Sequence, residues 1–474
     1  MFNLINQNKY KISLKYIFII LLSIYVIIGM SMNLLNFSIW YDEAIQFWIS
    51  YGCHPDGLII NKGISEVIKL NQSFNHDPGG FSIMLHYWMK ISTGLIWIRT
   101  LPLILFLSAT LLIYFICQSL FRNYFISLLC CFSPFFSDSL IYLSTEIRAY
   151  SMECLCCSIA MLLLCKINNY KTTYKILFVS LIFCCLMTSR YSAAIVVSVT
   201  IVVIVIYWFR DREIIRLVNL LALVIPVIST SILIYYFSLR FQNPSIQTPN
   251  YVDSSLNLGF LNIIILIFPF LCAIYFRKKN KNEFFNLSLF VTLLNFTFTI
   301  LSLFNIHPGD INSKYCISML FSNLIFATTV VGYALNSIKH SNVNICIVTA
   351  MLILILSQHN SIRIRHLQNH FKFSNLANLT NHEVYIEKSI HPCMKYIFSF
   401  GQYKNSEFFV KNNITFEKQK SHQLDRNGQF VHKDKFSMNL NNFDIIITKH
   451  QFNSDFFNDW KQKSTNIYFN KSIR

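Results

Sequence analysis

Residues 217–236 read LVNLLALVIPVISTSILIYY, a stretch without a single charged side chain. An α-helix rises about 1.5 Å per residue, so about 20 apolar residues are enough to cross the roughly 30 Å hydrocarbon core of a bilayer. Apolar runs of the same kind occupy residues 17–28 and 195–208. The pattern therefore predicts helices that span a membrane rather than a core that folds in water.

The composition of the whole chain agrees with this prediction. Of its 474 residues, 54% are hydrophobic and 13% are charged, and the mean hydropathy is +0.45. Soluble domains contain about 25% charged residues, so this chain is far more apolar than they are. Composition excludes an ordinary soluble enzyme as a model for most of the sequence.

The formal net charge of +18 comes mostly from short basic segments between the apolar runs. Cytoplasmic loops of membrane proteins carry an excess of Lys and Arg, so these segments indicate orientation rather than a nucleic-acid-binding surface. We expect no nucleic-acid partner. The residues placed in the cytoplasm on this basis are Lys9, Lys11, Lys15, Arg122, Lys166, Lys171, Lys175, Arg210, Arg212, Arg216, Arg277, Lys278, Lys279 and Lys281.

This orientation predicts a polytopic α-helical membrane protein with about eleven transmembrane helices, its N-terminus inside and its C-terminus outside. A long outer loop at residues 38–99 follows the first span. Its apolar segment 81–97 contains His86 and Lys90, and it is expected to lie in the membrane interface because that placement keeps Arg122 and the later basic loops inside. The predicted spans are residues 14–37, 100–120, 124–142, 150–165, 175–188, 191–209, 217–238, 257–276, 284–305, 315–337 and 342–357.

The character of the sequence changes after residue 357. Residues 358–474 are polar, lack a spanning run and alternate short apolar stretches with polar segments. This pattern predicts two parts: a transmembrane domain at residues 1–357 and a small C-terminal α/β soluble domain outside the cytoplasm at residues 358–474.

Three segments on the predicted outer face carry side chains suited to acid–base chemistry or phosphate binding. A planar guanidinium at the membrane surface suits bidentate binding of phosphate, and adjacent carboxylates at a membrane boundary are costly without a partner or a role. Each segment also has an ordinary structural interpretation: a solvated helix end, a loop-to-helix turn, or an ion pair across a turn. The residues are Asp42 and Glu43; His76 and Asp77 before a Pro-Gly-Gly turn; and Glu146, Arg148 and Tyr150.

With Arg99-Thr100-Leu101-Pro102 and Ser133-Pro134, these segments occur in an order and spacing that resembles a bacterial family of lipid-linked-sugar glycosyltransferases. That family belongs to the GT-C class, is family 39-like, and is related to protein O-mannosyltransferases and aminoarabinose transferases. The resemblance covers about residues 10–210, and the later helices match by hydropathy alone. Two positions depart from the family pattern: Gly79 stands where a second Pro is usual, and Lys314 where Arg is commoner.

The resemblance implies a GT-C-like fold and an inverting transfer of a hexosyl or pentosyl group from a polyprenyl-phosphate donor to a lipid, glycan or protein acceptor. The reaction would take place on the periplasmic or extracellular face of the bacterial cytoplasmic (inner) membrane, in contact with membrane lipids. By the same resemblance Asp42 and Glu43 match catalytic carboxylates. The matching substrate-binding residues are His76, Asp77, Arg99, Glu146, Arg148, Tyr150, Lys314 and Tyr315.

The residue types suit this chemistry independently of the family. A sugar on a polyprenyl phosphate is already activated, so a general base for the acceptor hydroxyl and cations at the departing phosphate are sufficient. Dependence on Mg²⁺ or Mn²⁺ is left open, since Asp42, Glu43, Glu146 and His76 offer donor atoms at no fixed spacing. A transporter, flippase or polymerase of lipid-linked glycans is the alternative; it predicts ionisable residues deep within the spans and repeated or broken helices.

Overall fold

The computed structural model describes residues 2–35, 39, 41–55, 63–75, 77–167, 172–210, 217–241, 260–304 and 316–337, together with five short strands after residue 382. Up to residue 337 its regular structure is helical. In chain order the helices are α1 Phe2–Leu34, α2 Tyr41–Tyr51, α3 Ile64–Phe74, α4 Gly80–Met89, α5 Leu95–Phe121, α6 Tyr124–Cys131, α7 Asp138–Thr145, α8 Tyr150–Cys165, α9 Thr173–Met187, α10 Tyr191–Arg210, α11 Leu217–Phe237, α12 Phe260–Lys278, α13 Asn282–Leu303 and α14 Ile317–Ser337.

Helix α8 lies at the centre of the bundle. It packs against α5, α10, α13 and α14, and most of its side chains are buried, including Glu153. Small residues such as Cys156, Cys157 and Ala160 let the neighbouring helices approach it closely, as is usual where helices pack within a membrane.

Helices α5, α10, α11, α13 and α14 are each long and apolar enough to cross a membrane. Helix α11 exposes much of its apolar surface, with Val218 60% exposed and Ile225 54% exposed. Soluble monomers do not present contiguous apolar surfaces of this kind to water. The chain is therefore a helical integral membrane protein, and the predicted total of about eleven spans goes beyond these five helices.

Contacts between helix termini join one end of the bundle. The Tyr191 and Ser238 hydroxyls lie 2.9 Å apart, which brings the start of α10 to the end of α11. The Ser318 N–H donates to the Glu153 carboxylate at 3.2 Å, which brings the starts of α14 and α8 together. We call this the acidic end, because Glu43, Glu153 and the acidic loop segments lie there.

A second set of contacts joins the opposite end. The Thr173 hydroxyl donates to Asn219 at 2.7 Å, between the starts of α9 and α11, and Asn123 donates to Asn336 at 3.5 Å, between α6 and the end of α14. Successive helices therefore alternate in direction. We call this the basic end, since helices finish here at Arg122, Lys166, Arg210 and Lys278.

The predicted span at residues 124–142 is wrong as one continuous helix. It consists of α6, a turn of 3₁₀ helix at Ser133–Phe136, and α7. Pro134 has no N–H to donate and disfavours helical backbone at the residue before it, and the Ser137 hydroxyl then caps α7 by accepting from the Leu140 N–H at 3.4 Å. Helices α7 and α8 meet at 113°, which leaves a turn at residues 146–149 at the acidic end.

The predicted outer loop at residues 38–99 contains three short helices, α2, α3 and α4, and α5 begins at Leu95 rather than near residue 100. Helix α4 accounts for the first part of the segment expected to lie in the interface. It is joined to α5 by Trp88 and Trp97, whose rings stack 4.7 Å apart. Each indole N–H donates to the backbone carbonyl of the other tryptophan, at 3.0 and 3.1 Å.

Five strands follow in the C-terminal part: β1 Glu383–Ile386, β2 Asn413–Phe416, β3 Ile445–Ile447, β4 Trp460–Ser464 and β5 Ile467–Asn470. They form a sheet in the order β2-β1-β3-β5-β4, with β1 parallel to β2 and β3, and β5 antiparallel to β3 and β4. The predicted last span at residues 342–357 and the rest of the predicted C-terminal domain lie outside the described residues.

Candidate functional site

Helix α2 carries the two predicted catalytic carboxylates in its first turn. Acidic side chains are favourable there because the N-terminal end of a helix bears a partial positive charge. The two side chains have different surroundings: that of Asp42 is 23% exposed, whereas that of Glu43 is 3% exposed. Gln46 lies one turn further along, on the same side of α2.

Glu43 forms a buried ion pair with Arg99 of α5. Arg99 Nη2 lies 2.8 Å from Glu43 Oε2 and Nε lies 3.2 Å from Oε1, and the Ile147 N–H also donates to Oε1 at 3.1 Å. A buried carboxylate needs such charge-assisted hydrogen bonds to offset its lost hydration. Glu43 thus joins α2 to α5 and to the turn at 146–149. Catalysis by Glu43 and substrate binding by Arg99 stay predictions.

Arg148 lies in the turn at 146–149 and faces α2. Its Nη2 atom is 4.0 Å from Asp42 Oδ2, and its Nη1 atom donates to Asn75 Oδ1 at 3.1 Å and to Gln46 Oε1 at 3.4 Å. Burial alone would lower the pKa of Arg148, but the negative charge of Asp42 and more distant acids raises it above its ordinary value. The guanidinium therefore keeps its positive charge.

The structure brings Glu146 into the same turn. Its carboxyl side chain is buried, and its backbone carbonyl accepts from the Arg148 N–H at 2.6 Å. A role of Glu146 in positioning Arg148 stays a prediction, and the Arg148 guanidinium donates hydrogen bonds to Gln46 and Asn75. Neither amide was predicted as a site residue, because a neutral amide has no sequence pattern of its own.

A second ionic cluster at the acidic end centres on Arg190, which is not among the predicted site residues. Arg190 Nη1 lies 3.0 Å from Glu153 Oε2, its Nε lies 3.4 Å from Asp77 Oδ1, and its guanidinium lies 4.7 Å from the centre of the Tyr150 ring. One signal could have revealed it: Arg190 precedes an apolar run on the face that the positive-inside rule leaves poor in arginine.

The turn at residues 77–80 depends on two glycines. Gly79 has a φ of +103°, a left-handed conformation, and a Cβ there would lie 2.9 Å from Asn71 Nδ2. The Gly80 N–H donates to the Thr188 carbonyl at 2.8 Å. Proline is confined to a φ near −65° and does not fit position 79. The second Pro that the resemblance leads one to expect at this position is therefore incompatible with this turn.

Four buried polar side chains next to Arg148 form a closed hydrogen-bonded ring, which we call the amide ring. Gln46 donates to Ser82 at 2.8 Å, and Ser82 donates to Asn71 at 2.7 Å. Asn75 donates to Asn71 at 3.1 Å and to Gln46 at 2.9 Å. The ring joins α2, α3 and α4, and it brings two amide oxygens to Arg148.

The predicted site residues His76, Lys314 and Tyr315 lie outside the described residues. The structure brings the other seven to the acidic end, where Asp42 and Arg148 face each other, Glu43 pairs with Arg99, and Asp77 and Tyr150 contact Arg190. Within the part of the chain that the structure describes, no three His, Cys, Asp or Glu side chains come together as a metal site. His76, one of the residues with a donor atom that could serve a metal, is not in that part.

Comparison of the sequence with models of known protein families and with curated proteins gives no match. The resemblance to GT-C glycosyltransferases therefore stays an expectation that rests on the residues that carry it.

Proposed function

We propose that the protein is a membrane glycosyltransferase that moves a sugar from a polyprenyl-phosphate carrier to a lipid, glycan or protein acceptor, with inversion at the anomeric carbon. The observation that carries this proposal is the pairing of Asp42 and Arg148: a partly exposed carboxylate and a guanidinium 4.0 Å apart at the acidic end of a membrane bundle. A group that accepts a proton and a group that binds an anion thus face the same small volume.

The reaction needs both groups at once. The acceptor hydroxyl oxygen attacks the anomeric carbon and its proton passes to the Asp42 carboxylate. The bond from that carbon to the phosphate oxygen breaks, and its electron pair stays on the departing polyprenyl phosphate near Arg148. A positioned base and a fixed positive charge at the leaving group are the two largest contributions expected for such a transfer. One direct displacement inverts the anomeric carbon.

Glu43 and Arg99 act in this scheme as positioning residues. Their buried pair fixes the first turn of α2 against the turn at 146–149, and so it sets the separation between Asp42 and Arg148. The roles of His76, Lys314 and Tyr315 at the donor stay predictions from the family resemblance.

The orientation follows from the charges at the two ends of the bundle. Cytoplasmic loops are rich in Lys and Arg, so the basic end faces the cytoplasm and the acidic end faces the periplasm or the cell exterior. The bundle then crosses the bacterial cytoplasmic membrane about eleven times, and the C-terminal domain is soluble and lies on the same side as Asp42.

The test is transfer by the purified protein in nanodiscs, supplied with a panel of polyprenyl-monophosphate hexoses and pentoses. Released polyprenyl phosphate and glycosylated acceptor lipids are measured. Asp42→Asn should lower the rate by about 10²–10⁴-fold, because the amide cannot accept the proton. Glu66→Gln, which also removes an acid from the outer loop, is the matched control and should keep the rate. Transfer that survives Asp42→Asn overturns this mechanism. A protein that moves lipid-linked glycans across the bilayer without cleaving them is instead a transporter or flippase.

A further inference from the structure

Three arginines at the acidic end, Arg99, Arg148 and Arg190, differ in the groups that their guanidinium groups contact. Arg99 is held by the Glu43 carboxylate, and Arg190 contacts two carboxylates, those of Asp77 and Glu153. The hydrogen bonds from the Arg148 guanidinium go instead to two neutral amide oxygens, and among the described residues its nearest carboxylate is 4.0 Å away. This contrast needs a physical reason, since a carboxylate would hold a guanidinium more strongly than an amide does.

The amide ring fixes which atom of each amide faces Arg148. The Asn75 Nδ2 atom has two acceptors, Asn71 Oδ1 at 3.1 Å and Gln46 Oε1 at 2.9 Å. Rotating the Asn75 amide by 180° would break both hydrogen bonds and would place an NH₂ group against the Arg148 cation. Gln46 is fixed in the same way, since its Nε2 atom donates to Ser82 at 2.8 Å and to Ser50 at 3.1 Å. Both amide oxygens therefore point at Nη1.

Two neutral oxygens orient the guanidinium and leave its charge in place. Each accepts a hydrogen bond from Nη1, so the plane of the guanidinium is set and its rotamer freedom is removed before any ligand binds. A carboxylate at either position would cancel the charge that an anion has to meet. Loss of the amides would let the Arg148 side chain move toward Asp42.

We propose that the amide ring is a positioning device that presents the Arg148 guanidinium, without a directly hydrogen-bonded counter-charge, to the phosphate of a lipid-linked ligand. Gln46 and Asn75 are then the residues that position the Arg148 guanidinium. Asn71 and Ser82 fix the orientation of the Gln46 and Asn75 amides. The inference deepens the proposed function and rests on it for the identity of the anion. It also makes a prediction about binding alone, which can be measured without any transfer.

The decisive variant is Asn75→Asp, which has the same shape and adds one negative charge 3.1 Å from Arg148 Nη1. Binding of a short-chain polyprenyl monophosphate to the protein in nanodiscs is measured at pH 7.5, with inorganic phosphate in a parallel titration. We expect the Kd for the lipid phosphate to rise at least tenfold, and Asn75→Ala to raise it less. The matched control is Asn123→Asp, which adds the same charge at the basic end and should leave the Kd unchanged.

Comparison with Asn75→Ala and the thermal unfolding midpoint together separate an effect of charge from a loss of fold. An aspartic acid side chain has an ordinary pKa of about 3.9, and one beside a guanidinium titrates lower, so the introduced group stays charged at pH 7.5 and down to about pH 4. Asn75→Asp should therefore weaken binding more than Asn75→Ala does, while its unfolding midpoint stays close to that of the wild type. A variant that has merely misfolded would show a clearly lowered midpoint.

Each outcome bears on one of the two ideas. Wild-type binding that Asn75→Asp leaves intact overturns the role of the amide ring while the glycosyltransferase proposal stands. Binding that Asn75→Asp weakens more than Asn75→Ala does, in a folded protein that transfers none of the sugars tested, supports the ring and removes the proposed reaction. Tight binding of inorganic phosphate equal to that of the lipid phosphate shows an anion site without lipid specificity, and it contradicts the ligand named here. Absence of any binding by the wild type contradicts both.

Discussion

The Nη2 atom of Arg148 lies 4.0 Å from the Oδ2 atom of Asp42, within reach of electrostatic attraction but beyond a short hydrogen bond. The two residues come from the start of α2 and from the turn between α7 and α8, about a hundred positions apart in the chain. The position of Asp42 is set by helix α2, which Glu43 anchors, and the position of Arg148 is set by its hydrogen bonds to the amide ring. The distance between the two side chains is therefore a property of the fold. This separation suits the proposed transfer, in which the Asp42 carboxylate accepts a proton and the Arg148 guanidinium binds the phosphate.

Replacement of Arg148 by Lys is expected to impair use of the donor although the charge is retained. A lysine ammonium cannot donate to Gln46 and Asn75 and also present a planar pair of N–H groups to phosphate. Loss of one charge-assisted hydrogen bond of about 1.5–3 kcal/mol corresponds to about 10–100-fold in kcat/KM for the donor. Steady-state kinetics with a polyprenyl-phosphate sugar give the value. Arg240→Lys, in the short 3₁₀ turn Leu239–Phe241 that follows α11, is the control. Normal kinetics for both Arg148→Lys and Arg148→Ala would show that the phosphate is bound elsewhere.

Glu43→Gln should act mainly on stability. It leaves the buried Arg99 guanidinium without its counter-charge, and breaking a buried pair in this way costs about 3 kcal/mol or more. Thermal unfolding in detergent should show a lower midpoint, whereas the rate per folded molecule should fall less than in Asp42→Asn. The double variant Glu43→Gln with Arg99→Met removes both charges and should recover part of the midpoint. An unchanged midpoint in Glu43→Gln would mean that the pair is not what anchors α2.

Gly80→Ala should separate the turn at residues 77–80 from the end of α9, where Thr188 follows the last helical residue. The added Cβ would lie 1.9 Å from the Thr188 hydroxyl oxygen and 2.9 Å from the Thr188 carbonyl, so the backbone has to shift. Overpacking of this kind costs about 1–3 kcal/mol. Both the unfolding midpoint and the transfer rate should fall. Gly63→Ala, whose Cβ would meet only the Ser65 hydroxyl at 3.7 Å, is the control in the same loop. Equal behaviour of the two variants would argue against this docking.

The membrane orientation can be tested with a reporter enzyme that is active only outside the cytoplasm. Fusions at Lys62 and after Ser361 should both be active, and a fusion at Lys279 should be inactive, because the basic end is retained in the cytoplasm. Activity at Lys62 combined with inactivity after Ser361 would mean that one span has been miscounted. The segment at residues 81–97 would then be the first to re-examine.

The sequence predicted much of the helical framework because hydropathy depends on local composition. The run at residues 217–236 appears as α11, and α10 and α13 begin within a residue or two of their predicted starts. Pro134 was visible in the sequence, but residues 124–142 were predicted as one continuous helix. Length alone cannot show whether an apolar run bends, since a proline is tolerated in a membrane helix that repairs its hydrogen bonds elsewhere.

The charged residues of the candidate site could be predicted from the sequence, whereas its neutral residues could not. Asp42 and Arg148 stand out because ionised side chains are rare in this chain, and the structure brings them together. Asn75 and Gln46 do not stand out, since their role comes from the packing of α2, α3 and α4 against one another. Arg190 is an intermediate case, because its charge was visible in the sequence but its contacts were not. Its partners Asp77 and Glu153 are 113 and 37 positions away in the chain.

The Trp88 and Trp97 pair gives the protein an optical signal of its own. Their indole rings are nearly parallel, at 6°, and 4.7 Å apart, so their electronic transitions are coupled and contribute together to the near-ultraviolet circular dichroism. One ring belongs to α4 of the outer loop and the other to α5 of the bundle. A spectrum recorded during ligand binding therefore reports, without any label, whether the loop stays attached to the bundle or lifts away from it.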